Sequence, residues 1–227
     1  MMMPYPGLPR ETLTFLAGLE NDNSRDWFDA NRPDYDRYWT AAGLDLIAAL
    51  SAPCAALKPS LLAVPKLNAS LRRIHRDVRF SKDKRPYDPR LHIILSTAPA
   101  FNKAPGVHLV ISPKGLGFGA GFYGFEPASL DEFRHNVASP QGRAVFETLL
   151  AKAAAVGAVL QDPDLTRVPK GFDPAPWDHY LRRKSVIVRT RTDQPHPDWL
   201  FTPAATDRLM TIVAALNPLC QWLTRFL

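Results

Sequence analysis

Between residues 115 and 125 the chain reads GLGFGAGFYGF, with Gly115, Gly117, Gly119 and Gly121 alternating with Leu116, Phe118, Ala120 and Phe122. Side chains of a strand point alternately to its two faces, so this period of two predicts an extended strand and disfavours a helix. One face of the strand would be almost bare backbone. Glycine inside a strand marks the close approach of something else. Packing by a helix or aromatic ring is the commoner cause, and a ligand groove is the other.

The surrounding sequence supplies partners for that strand. GVHLVIS precedes it, and the intervening SPKG predicts a hairpin. LHIILST lies upstream and KSVIVRT downstream, so strands are expected near 91–98, 107–112, 115–123 and 184–190. In RIHRDVRF the residues Ile74, Val78 and Phe80 fall on alternate positions. That pattern predicts a further strand with those three in the core and Arg73, His75, Asp77 and Arg79 on the opposite face.

Helices are expected on either side. Leu13, Leu16 and Leu19 recur at helical spacing until the polar run Glu20 to Asn23. Ser24 suits the N-cap of a short helix carrying Trp27 and Phe28, and Pro33 suits the first turn of a longer one. That helix would bury Tyr35, Tyr38, Leu46 and Leu50 until Pro53 stops it, with 54–70 irregular. Pro127 opens a helix through Leu130, Phe133 and Val137. Ser139-Pro140 opens the next, through Phe146, Leu149, Leu150 and Ala153, with Gly157 near its end. Residues 158–178 read as a proline-rich loop, and Thr202-Pro203 opens a last amphipathic helix that Pro218 kinks or ends. The expected fold class is α+β, a curved antiparallel sheet in the middle of the chain with helices packed from both sequence ends. With no internal repeat and no clear linker, 1–227 is expected to be a single domain.

Several functions are disfavoured. The opening MMMPYPGLPRETL has neither a basic region nor a long apolar stretch, so no signal or anchor is expected, and no membrane partner. Cys54 and Cys220 stand far apart without CxxC or Cys/His spacing, the pattern of two thiols in a reducing, cytoplasmic setting. The six histidines are scattered singly, so no metal site is expected. HRD at His75 to Asp77 has Lys82 where a kinase loop needs asparagine, and no DFG follows. Gly119, Gly121 and Gly124 fit GxGxxG only formally, because Phe122, Tyr123 and Phe125 continue a strand rather than opening a helix. No cofactor motif remains.

The charge is more informative. The chain carries a net charge of +6, and between Arg72 and Arg90 eight Lys or Arg stand against three Asp. Such a cluster can hold phosphates or carboxylates. Arg73, Arg76, Arg79, Lys82 and Lys84 would supply the charge, with Asp77 and Asp83 shaping the segment and Tyr87 or Trp27 stacking on a base. The expected partner is a phosphate-bearing small molecule or nucleic acid. The alternative is a non-enzymatic structural or interaction protein, in which Asp77 bridges Arg73 and Arg79 and Asp83 caps the turn in an internal ion-pair network. No reaction type follows from either reading, and no helix-turn-helix or zinc finger points to sequence-specific DNA binding.

RIHRDVRFSKDKRPY resembles the signature of domain-of-unknown-function family 2461, an arginine-aspartate stretch running into Phe-Ser-Lys-Asp-Lys and a Pro-Tyr pair. NDNSRDWFDANRPDY, GAGFYGFEP and VPKGFDPAPWDHYLRRKS agree with the same family in the same order, whereas Asp88 stands where a basic residue is expected. The resemblance spans nearly the whole chain and implies no reaction, cofactor or substrate.

Overall fold

The computed structural model describes residues 5–101, 103–190 and 194–227. Its centre is a five-stranded antiparallel sheet with strands β1 (Leu91–Ser96), β2 (Gly106–Ser112), β3 (Gly115–Phe122), β4 (Ala158–Leu160) and β5 (Val186–Thr190). Their order across the sheet is β1-β2-β3-β5-β4. The two-residue turn Pro113-Lys114 joins β2 to β3 as expected. Ser112 Oγ accepts hydrogen bonds from the backbone N–H groups of Lys114 and Gly115, 3.2 Å each, which closes that turn.

Helices precede and follow the sheet. The first are α1 (Glu11–Asn21) and α2 (Arg25–Ala30), the latter capped by Ser24, whose Oγ accepts from the Trp27 N–H at 3.1 Å. A continuous helix follows, made of α3 (Arg32–Asp34), a π-helical stretch Tyr35–Ala41 and α4 (Ala42–Ala56). By length and composition alone it could cross a membrane. Its Trp39, Leu46, Ile47, Leu50 and Cys54, however, are buried in the core of the domain. After β3 come α5 (Pro127–Ala138) and α6 (Pro140–Ala155), with Ser139 Oγ capping the Gly142 N–H at 3.0 Å. The last helix is α7 (Ala205–Leu223).

α7 packs on β2 and β3, α4 on β1, and α6 on β4. Leu91, Ile93 and Leu95 of β1, Val107, Leu109 and Ile111 of β2, and Leu116, Ala120 and Phe122 of β3 meet them in one hydrophobic core. Among the described residues, no helical layer covers the opposite face of the sheet.

Some expected boundaries moved. Pro53 and Pro218 lie inside helices that continue past them. Cys54 after the first, and Leu219, Cys220, Trp222 and Leu223 after the second, are buried, and that burial outweighs one missing backbone hydrogen bond. β4 falls within the stretch read as loop. RIHRDVRF is not a regular strand, and Phe80 is 95% exposed rather than in the core, with Val78 half-buried. Ile74 is buried as expected. Pairing is confined to a short antiparallel patch, with Arg76 N–H to the Pro86 carbonyl and Asp88 N–H to the Ile74 carbonyl, both 2.8 Å. Beyond it Asp77 accepts the Arg79 N–H and Asp83 the Arg85 N–H, local turns that draw the chain out of a ladder.

Both sheet edges are modified. Beside β1 runs an irregular segment whose Leu62 exchanges backbone hydrogen bonds with Ser96, while Ile94 N–H reaches the Ser70 carbonyl and Arg72 N–H the His92 carbonyl. The opposite edge is β4, only three residues long.

Candidate functional site

The uncovered face of the sheet forms a groove of about 750 Å³. Register determines what lines it. The tight turn pairs Ser112 with Gly115, and counting back along both strands sets Val110 opposite Gly117 and His108 opposite Gly119. On β1, His92 stands opposite Val110 and Ile94 opposite His108. On β5, Ile187 and Arg189 lie opposite Gly121 and Gly119. The alternating glycines therefore form the floor of the groove between two histidines and an arginine.

The glycines have different reasons. A Cβ on Gly119 would lie 2.5 Å from the Val188 carbonyl oxygen, and Gly121, at φ +142°, approaches the Val186 backbone even more closely. Their close neighbour is the backbone of β5, and the expected helix or aromatic ring is not what crowds them. Gly117 has nothing nearer than Thr190 Oγ1 at 3.6 Å, and opens onto the groove.

His92 Nε2 and His108 Nδ1 share a hydrogen bond of 2.9 Å. Burial, the partner imidazole and the Arg72 and Arg90 guanidinium groups push His92 down to about 3. Burial, then Arg72, pushes His108 down to about 4. Both rings are therefore neutral at neutral pH. Arg72, Arg90 and Arg189 line the groove, and among the described residues no Asp or Glu does. Arg72 is carried there by its backbone bond to His92. Arg90 is held by Asp88, through bonds of 2.6 and 2.7 Å, and by its carbonyl, which accepts the Trp39 indole N–H at 3.2 Å. Arg189 Nε donates to Gln161 Oε1. Phe101, Tyr123 and Ile94 add apolar walls.

The basic segment lies to one side. A smaller polar hollow of about 330 Å³, lined by Arg76, Asp83, Arg85 and Lys114 among others, shares Arg90 and Ser112 with the groove. Within the segment, Arg76 and Arg85 both bond Asp83 at 2.8 Å, and Arg79 bonds Asp77 at 2.8 Å. Hydrogen bonds from Arg79 hold the Asp77 carboxyl at about 2, and those from Arg85 and Arg76 lower Asp83 further. Arg73 adds only its charge near Asp77, so it does not form the bridge expected of it. Lys84 Nζ donates to the Val78 carbonyl at 3.1 Å, and Lys82 is exposed.

The two candidate stacking rings are otherwise engaged. Tyr87 is buried against Phe28 with ring centres 4.2 Å apart, and Asn23 bonds both its backbone N–H and its carbonyl. Trp27 packs on Phe15, and its ring edge fills the space that a side chain at Gly18 would occupy. Sequence reasoning missed His92, His108 and Arg189, and the hairpin register was the signal that placed His108 beside the glycine floor.

A family model described as Conserved hypothetical protein (DUF2461) matches residues 11–222. No curated protein and no solved structure matches the chain.

Proposed function

The chain belongs to the conserved hypothetical family whose model spans residues 11–222, and on that footing we propose that it binds a small anionic molecule with an apolar body in the open-face groove. The observation that carries this reading is a lining with three arginines, two neutral imidazoles and no carboxylate among the described residues. Guanidinium forks suit carboxylate and phosphate oxygens, and the apolar walls would remove water from the rest of the ligand. The volume is that of a typical small-molecule site. Of the segment Arg72 to Tyr87, Arg72 serves the groove directly. A phosphate-bearing ligand would extend past Arg90 toward Arg76 in the neighbouring hollow.

A second reading is favoured for the rest of the segment by the contacts of Asp77 and Asp83 with Arg79, Arg76 and Arg85. There the charges form an internal network in a protein that works through a partner. Two free, buried cysteines support a cytoplasmic, reducing setting.

The test is a fluorescence titration with 8-anilinonaphthalene-1-sulfonate, an aromatic body bearing one anionic group. Competition follows with aryl carboxylates, nucleotides and their neutral analogues at two salt concentrations. One saturable site is expected, displaced by anions about tenfold or more better than by neutral analogues and weakened by salt. Arg189→Gln should weaken it about tenfold, and Arg79→Gln with Lys84→Gln should leave it unchanged. Equal displacement by neutral analogues, or no saturable binding, refutes the groove reading. Loss of binding in the Arg79/Lys84 double variant moves the site to the basic segment.

A further inference from the structure

The two groove histidines are placed for more than binding. Among the described residues neither has a carboxylate partner to orient it; each orients the other across 2.9 Å. Among the described residues, no protein hydrogen bond is made by the outer ring nitrogens, His92 Nδ1 and His108 Nε2. The bridging proton can sit on either ring. With it on His92 Nε2, His92 Nδ1 is an acceptor and His108 Nε2 carries a proton; moving it to His108 Nδ1 reverses both ends.

We propose that His92 and His108 act together as a neutral proton-exchange pair that tautomerises a bound anionic carbonyl compound bearing an acidic C–H beside its carbonyl group. The inference rests on the groove reading, because the arginines must hold the anionic group of the substrate. As the C–H bond breaks, its proton passes to His92 Nδ1 and its electron pair becomes the enol C=C bond. The bridging proton crosses from His92 Nε2 to His108 Nδ1. His108 Nε2 gives its proton to the carbonyl oxygen, which takes up the former C=O π pair. One proton enters the pair and one leaves, no charge accumulates, and no co-reactant is needed. The reverse step resets the rings.

The electrostatics favour this concerted route over a single imidazole acting as base. Burial opposes a lasting imidazolium at either position, reinforced by Arg72 and Arg90 at His92 and by Arg72 at His108. An exchange that leaves the pair uncharged avoids that opposition. Positioned acid–base groups supply roughly 10²- to 10⁴-fold in rate.

The experiment uses phenylpyruvate, which has an aromatic body, a carboxylate and an enolisable C–H, together with two aliphatic 2-oxo acids. Binding is measured by displacement of the naphthalene sulfonate, and deuterium uptake beside the carbonyl in D₂O by proton NMR. For at least one acid that binds, wild type should exchange at least about 100-fold faster than His92→Gln. His108→Gln and the double variant should be as slow as His92→Gln, because the pair acts as a unit. Nitrogen NMR of labelled wild-type histidines should show both rings neutral at pH 7 and in the same tautomer, both protonated at Nε2 or both at Nδ1, or rapidly averaging between the two. This readout does not depend on the variants folding.

Binding without accelerated exchange for any acid overturns the proton-exchange pair and leaves the groove reading standing. No binding overturns the groove reading itself. Exchange lost in one histidine variant only assigns a lone base, and a charged ring at pH 7 or coordination of added Zn²⁺ by both rings equally refutes the proposal.

Discussion

Gly117 and Gly119 lie two residues apart on the same face of β3, yet alanine at the two positions should have opposite effects. At Gly117 a new methyl group would find its nearest neighbours, Thr190 Oγ1 and the Val110 carbonyl, at 3.6 and 3.9 Å, which is ordinary contact. Removing glycine's freedom in the unfolded chain then stabilises by about 0.4–1 kcal/mol. For a chain of this size that raises the melting temperature by about 1–4 °C. At Gly119 the methyl would sit 2.5 Å from the Val188 carbonyl oxygen and 2.9 Å from Arg189 Cβ. β5 must retreat by roughly 1 Å to restore normal contact distances. Overpacking of this kind costs about 1–3 kcal/mol, a fall of about 2–12 °C. Thermal unfolding followed by circular dichroism measures both. Gly117→Leu should fill the groove floor, keep the melting temperature within a few degrees, and weaken naphthalene sulfonate binding at least tenfold. If both alanine variants shift the melting temperature alike, or Gly117→Leu binds the probe normally, the reasoning about this floor fails.

Trp39→Phe removes the indole N–H from the Arg90 carbonyl at a fully buried position, so urea unfolding should show a loss of about 1–3 kcal/mol. For His92 and His108 the folded pKa values lie below the ordinary 6.5, so between pH 6.5 and about 4 the unfolded chain binds protons that the folded chain does not. Stability from the neutral pair is therefore full above pH 6.5 and declines as pH falls, by at most about 1.4 kcal/mol per unit for each ring. Urea midpoints at pH 7 and pH 5 test this, and equal values would contradict it. Burial pushes the Cys54 and Cys220 thiols up to about 11 and about 12. Neither should react with a disulfide reagent at pH 8 until guanidinium unfolds the chain, when both should.

What was legible in the sequence was whatever depends on near neighbours. The glycine alternation located β3, SPKG closed its hairpin, and Ser24 and Ser139 began their helices as capping residues should. Family kinship was legible in the same local strings. The departures arose where distant packing or short-range polar bonds decided the outcome. Pro53 and Pro218 failed to stop their helices because buried residues follow them. Asp77 and Asp83 turned RIHRDVRF away from a regular strand by accepting backbone N–H groups two residues on. The groove was hidden for a different reason. His92, His108 and Arg189 come from three strands, and none is notable until the register brings them around the same three glycines.

The treatment of the sheet edges bears on how the protein behaves when crowded. A free strand edge offers a row of unused donors and acceptors that can template a second chain and begin a fibril. Here β1 has much of that row already satisfied by residues between Leu62 and Arg72, and β4 presents only three residues to the outside. Edge-to-edge polymerisation is therefore disfavoured even though a broad face of the same sheet lies open. The fold can keep a concave surface accessible without also exposing a long sticky rim, and concentrated solutions should resist growth of cross-β aggregates.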